Sequence, residues 1–150
     1  GSDLYRRSIY TFWRRTVSPA NMFDTANRQT CRVRQSPTSI PLHALTTLND
    51  PTWVEAARVL AEHTIQSSTD RDVQLINAAR LVLSRNPTDA DLTNLRRAFD
   101  KQHAIFAADT EGAMKLLTTG ESARDESLDS TDHAAMTIVC LAILNLDEAS

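Results

Sequence analysis

From residue 38 onward the chain is divided by helix-start and helix-stop signals, and these restrict its fold more than any other feature. Thr38 or Ser39 opens a first helix with Pro41 in its first turn, where a missing N–H is harmless. Asp50 stands as a cap directly before Pro51, which suits the first position of the next helix. Residues 67–70 read as a turn and cap, and Asn86-Pro87 as a stop. Thr88 and Asp91 have the spacing of a capping box, with aspartate in place of the usual glutamate. Gly120 ends a further short helix, and Asp129 or Ser130 caps the last. Only three glycines occur in 150 residues, which disfavours a turn-rich β fold. Abundant alanine and leucine favour helix. The expectation is an all-α fold, an irregular bundle of about five to six helices.

The faces of these helices follow from their spacing. The first turns Leu42, Leu45 and Leu48 inward. The second, to about residue 67, carries a polar stripe of Glu55, Arg58, Glu62 and Gln66, with apolar residues on the rest. The third, about 70–84, has a narrow polar stripe at Asp70, Gln74, Asn77 and Ser84, so it should be packed on several sides. The fourth, to about 108, places Leu92, Leu95, Phe99, His103 and Phe106 on one face, and a short helix over 110–117 follows. Residues 121–129 read as a solvated acidic loop. The last helix, to about 146, is apolar almost without a break from Ala134 to Leu144. It is either the centre of the bundle or faces further chain, and its apolar run is too short to span a bilayer.

The first 37 residues differ in kind. Residues 8–13, SIYTFW, favour an extended segment, although Tyr5, Ile9, Phe12 and Trp13 would also share one helix face. The run from Val17 to Pro37 has no apolar period and reads as a long ordered loop. Residues 1–35 hold seven arginines against two aspartates, a net +5, whereas the remainder holds nine basic and seventeen acidic residues, a net −8. The plainer reading is that the basic segment docks on the acidic helical body, for which arginine suits paired, partly buried sites better than lysine. The sharper reading is an anion-binding patch of Arg6, Arg7, Arg14, Arg28, Arg32 and Arg34, with Tyr10 and Trp13 as aromatic contacts. An acidic glycan would fit such a patch. Nucleic acid is disfavoured by the acidic pI of about 5.8 and the absence of lysine clusters. The chain is read as a single helical domain, 1–150, with the segment and loop over 1–37 and the bundle over 38–150. It is also read as a fragment of a larger protein.

Little in the chain has the spacing of a catalytic or metal site. Cys31 and Cys140 form no CxxC, and Cys140 lies in an apolar run as a buried thiol; a disulfide between the two is left open by their spacing. His43, His63, His103 and His133 include no i, i+4 pair and no HExxH, so no metal ligand set is assigned. His133, in the first turn of its helix, is expected to be neutral. Glu121, Asp125, Glu126, Asp129 and Asp132 cluster in sequence, but a loop lacks the rigidity that an acid–base pair across a cleft requires. There is no GxSxG elbow and no glycine-rich phosphate loop. No catalytic residue and no cofactor are assigned.

Several separate stretches carry a family resemblance. DLYRRSIYTFWRRT, MFD, RQTCRVRQSPTSIPLHALTTLNDP and VEAARVLAE, followed by RLVLSRNPTDADL, the FAAD–GES segment and LNLDE, resemble the C-terminal part of the planctomycete surface domain family. His43 stands where that family more usually has glutamine, and Ile40 where it has threonine. The resemblance implies an exported parent, periplasmic or at the cell surface, with several further domains. A c-type haem domain is often among them, and some such proteins are suspected of acting on polysaccharide. It implies no activity for this region, so the chain is expected to be a non-catalytic structural or interaction module whose partner is the remainder of its parent. The alternative is part of a polysaccharide-active or haem-linked redox enzyme that binds an anionic substrate through its arginines.

Overall fold

A computed structural model describes residues 41–149, and the side chains of most of these. The expected extended segment and loop, with Arg6, Arg7, Arg14, Arg28, Arg32, Arg34, Tyr10 and Trp13, lie outside the described residues. Six α-helices follow one another: α1 Pro41–Asn49, α2 Pro51–Ser67, α3 Arg71–Leu83, α4 Asp89–Ala108, α5 Thr110–Leu117 and α6 Ser130–Leu144. A 3-10 turn, Asp147–Ala149, comes after α6. There is no strand among the described residues, and the fold is all-α. The contacts given below lie within the compact unit Ala44–Ser150.

The start signals act as the sequence suggests. Asp50 accepts the Thr52 N–H at 2.8 Å, and Asp70 accepts that of Asp72 at 2.8 Å. Thr88 and Asp91 close a reciprocal box, with Asp91 N–H on Thr88 Oγ1 at 3.2 Å and Thr88 N–H on Asp91 Oδ2 at 2.9 Å. Asp109 caps α5 through Gly112 N–H at 2.8 Å. Asp129 caps α6 by accepting from both Thr131 and Asp132. Each such cap satisfies a backbone donor that the first helical turn leaves without a partner. At the other end of α3, Ser84 takes the left-handed conformation, φ 55°, and returns its N–H to the Arg80 carbonyl.

Helix α6 is the centre of the bundle, packed against α2, α3, α4 and α5. Ala134, Ala135, Met136, Val139, Cys140, Leu141 and Ile143 are all buried on it. Small residues on the facing helices, Ala57 and Ala61 of α2 and Ala78 of α3, bring the backbones close and join the same core. Phe99 of α4 closes that core, and Ala113 and Leu117 of α5 form a satellite cluster with Ala134. Burying each large apolar side chain contributes about 1.5–3 kcal/mol, so this all-round apolar helix is the main apolar contribution to the bundle.

Two expected faces are corrected. In α1, Leu45 is 58% exposed and Leu48 43%, whereas Thr47 is buried. The helix is turned so that Thr47 Oγ1 lies 2.8 Å from Asn145 Oδ1, beyond the end of α6, while Asn145 Nδ2 donates to the Ala44 carbonyl at 3.3 Å. In α3, Val73 and Leu81 are exposed and the inner face is Gln74, Leu75, Ala78 and Ala79, so the helix packs on fewer sides than its composition suggests. Helix α6 stops at Leu144, two residues short of the expected end, where Asn145 N–H turns back to the Ala142 carbonyl.

Candidate functional site

The stripe Glu55, Arg58, Glu62 and Gln66 does not face water along its length. Arg58 is 0% exposed, the bulkiest of the fully buried side chains among the described residues. It is covered by the connection between α5 and α6. Arg58 Nη2 donates to the Ser122 carbonyl at 2.8 Å and also to Ser122 Oγ. Glu55 Oε1 accepts the Ser122 N–H at 2.7 Å. One turn beyond Arg58 on α2, Glu62 Oε1 accepts the Asp125 N–H. Another turn on, Gln66 Nε2 donates to Asp125 Oδ2 at 2.8 Å. Three successive turns of α2 therefore grip the connection at Ser122 and Asp125, and the solvated loop expected from composition is tied to the helix at two residues.

The entry to this connection is set by Gly120, whose φ of +102° is a conformation that side-chain-bearing residues rarely adopt. A Cβ at that position would lie 2.5 Å from Glu55 Cδ. The close approach is what lets Glu55 reach the Ser122 N–H.

Burying a guanidinium costs several kcal/mol unless charge and hydrogen bonds compensate. Here the compensation is the two Ser122 oxygens and the Glu62 carboxylate, whose Oε2 is 3.7 Å from Arg58 Nη1. Arg58 Nε and Nη1 make no hydrogen bond of their own among the described residues. From the opposite side, His133 of α6 is fully buried, with Nε2 3.2 Å from the Arg58 carbonyl oxygen. That oxygen can only accept, so Nε2 carries the proton and Nδ1 is a bare acceptor, also without a hydrogen-bond partner among the described residues. Burial pushes the His133 imidazole below its ordinary value, which keeps it neutral. Its backbone carbonyl is used as well, accepting from Thr137 Oγ1 at 2.8 Å.

The cluster has the residue types of a reactive site but not the arrangement. Ser122 Oγ faces a guanidinium, which cannot take its proton and so does not activate the hydroxyl. Cys140 is a free thiol, pushed up to about 12 by burial, and is not a thiolate at neutral pH. A second polar cluster joins three helices elsewhere. Asp132 of α6 pairs with Arg71 of α3 at 2.9 Å and with His103 of α4 at 3.3 Å, and Arg71 stacks over the Phe99 ring at 4.0 Å.

The four histidines are not brought together among the described residues. His63 is exposed on α2, His103 sits beside Asp132, His133 is buried, and the His43 side chain is outside the described set. The clustered carboxylates are dispersed too. Asp129 is a cap, Asp132 an ion-pair partner, and Asp125 accepts from Ser127 and Gln66. No group of three or more His, Cys, Asp or Glu among the described residues is placed to hold a metal ion. The meeting of Arg58, Ser122 and His133 was not anticipated. Its signal was present as a charged stripe on α2 and a polar connection of matching length.

Two outcomes check this arrangement. Arg58→Ala is expected to lower stability by about 3 kcal/mol or more, because it opens a cavity and frees the Ser122 oxygens. Arg58→Met, which keeps the stem and removes the buried charge, should recover much of that loss in urea unfolding. For His133, the folded value lies below the unfolded one, so its contribution is complete above the unfolded value and is lost as pH falls toward the folded one. Unfolding midpoints should therefore drop on acidification from neutral pH through the ordinary histidine range, and His133→Gln should flatten that drop.

A model of the PSD1 family, described as "Protein of unknown function (DUF1553)", matches residues 1–99. The match takes in Glu55, Arg58 and Glu62 on the α2 side of the cluster, while Ser122 and His133 lie beyond it. No curated protein and no solved structure matches the chain. With 99 of its 150 residues matched, the chain belongs to the PSD1 family of unknown function.

Proposed function

We propose that the chain is a non-catalytic structural or interaction module, the C-terminal part of an exported, multidomain planctomycete protein. The observation that carries this reading is the use made of the buried polar residues. Arg58, Glu62 and His133 hold α2, the 118–129 connection and α6 together rather than opening onto a cleft. The exposed ion pairs do similar work: Asp72 with Arg96 joins α3 to α4, and Arg85 with Asp91 and Glu148 joins the α3–α4 turn to the C-terminal 3-10 turn. No helix among the described residues is long and apolar enough to cross a membrane. The remainder of the parent protein is the partner in this reading, and its site of action is the periplasm or cell surface.

The net +5 of residues 1–35 favours a second reading, in which those arginines bind an acidic glycan for a polysaccharide-active or haem-linked parent. The two readings separate in one experiment with the intact chain. Heparin-type sulfated glycan at low salt should give no binding beyond that of a scrambled basic peptide if the module is structural. Binding that disappears with salt and with Arg32→Ala would overturn the structural reading and establish the second.

A further inference from the structure

Away from the Arg58 cluster, α2 and α3 enclose an open groove of about 360 Å³, lined among the described residues by His63, Thr64, Ser67, Asn77, Arg80 and Leu81. That volume is at the small end of the range for ligand sites. The lining has three chemical parts. Arg80 is a permanent cation, exposed, and its guanidinium makes no hydrogen bond or ion pair with any described residue. Asn77 is oriented by donating through Nδ2 to Ser67 Oγ at 3.1 Å, and Ser67 in turn donates to the Thr64 carbonyl at 2.7 Å. Leu81, 57% exposed, supplies an apolar wall. None of the lining residues is acidic.

The fold accounts for only part of this lining. A cation in the last turn of α3 is favourable with respect to the helix dipole, which accounts for Arg80 alone. A large aliphatic side chain in water beside it gains nothing from that dipole. We propose that this groove binds a small carboxylate with an apolar flank and an adjacent amide. Arg80 takes the carboxylate through its planar fork, Asn77 meets the amide, and Leu81 covers the apolar flank. His63 places an imidazole at the rim on α2.

The test uses N-acetyl-leucine as the probe and N-acetyl-leucinamide, which lacks the charge, as its counterpart. Amide NMR spectra of the intact chain should show saturable shifts confined to residues around 63–67 and 77–81 with the acid, at a dissociation constant on the order of 1 mM. The amide should bind at least about tenfold more weakly, as should Arg80→Gln with the acid, since tenfold corresponds to loss of one charge-assisted contact. Leu81→Ala should weaken the acid several-fold. Both side chains are exposed, and unchanged spectra elsewhere verify that the variants fold. Absence of saturable shifts, equal shifts with the neutral amide, or unaltered binding by Arg80→Gln would overturn the proposal.

Discussion

A guanidinium removed from water has to be met by charge or by oxygen, and the rest of this bundle is arranged around that requirement at Arg58. The arginine projects from the middle of α2 and is fully buried. What meets it is the backbone and hydroxyl of Ser122. The connection that brings Ser122 there is itself drawn onto α2 by Glu55 and Glu62, which accept its amide hydrogens one turn before and one turn after Arg58. Leaving the connection, the chain reaches Asp129, which caps α6, and the first turn of α6 returns His133 to the carbonyl of Arg58. One buried cation thus links the path of a twelve-residue connection, 118–129, to the placement of the central helix.

The other contributions are of different kinds. Apolar burial around α6 supplies the bulk of the favourable free energy, as it does in helical bundles generally. The surface ion pairs contribute little individually, since exposed pairs are screened and cost side-chain entropy. Arg96 and Asp72 meet with two short contacts of 2.6 Å and depress the Asp72 carboxyl below its ordinary value, yet both side chains remain largely solvated. They join α3 to α4 at the surface with a small net contribution. Among the described residues, the buried side-chain atoms without a hydrogen bond are Arg58 Nε, Arg58 Nη1 and His133 Nδ1, and of these Nη1 faces the Glu62 carboxylate.

What was legible in the sequence is what depends on neighbours in sequence. The Asp50-Pro51 start, the Thr88–Asp91 box and the Asp129 cap are local hydrogen bonds between residues two or three apart, and each was found where its spacing put it. The buried thiol of Cys140 was also readable from its apolar run, and the neutral imidazole of His133 from its place in the first turn of α6, although the structure adds burial as the stronger cause. What escaped depends on contacts across the chain. Periodicity gave Leu45 and Leu48 an inward face, but the pairing of Thr47 with Asn145, 98 residues away, sets the rotation of α1. A polar stripe on α2 says nothing of whether water or Ser122 will cover it. The arginines at the start of the chain, prominent in composition, lie outside the described residues and stay within the proposal.

The central claim is that the connection between α5 and α6, although largely at the surface, is tied down on α2 at Ser122 and Asp125 rather than free in solvent. Native-state hydrogen exchange of two amides tests it most directly. The N–H groups of Ser122 and Asp125, donated to Glu55 and Glu62, should be protected to an extent comparable with the helical amides of α2, and Arg58→Ala should release both. Exchange of both amides at the rate of an unstructured peptide in the unmodified chain would contradict the account.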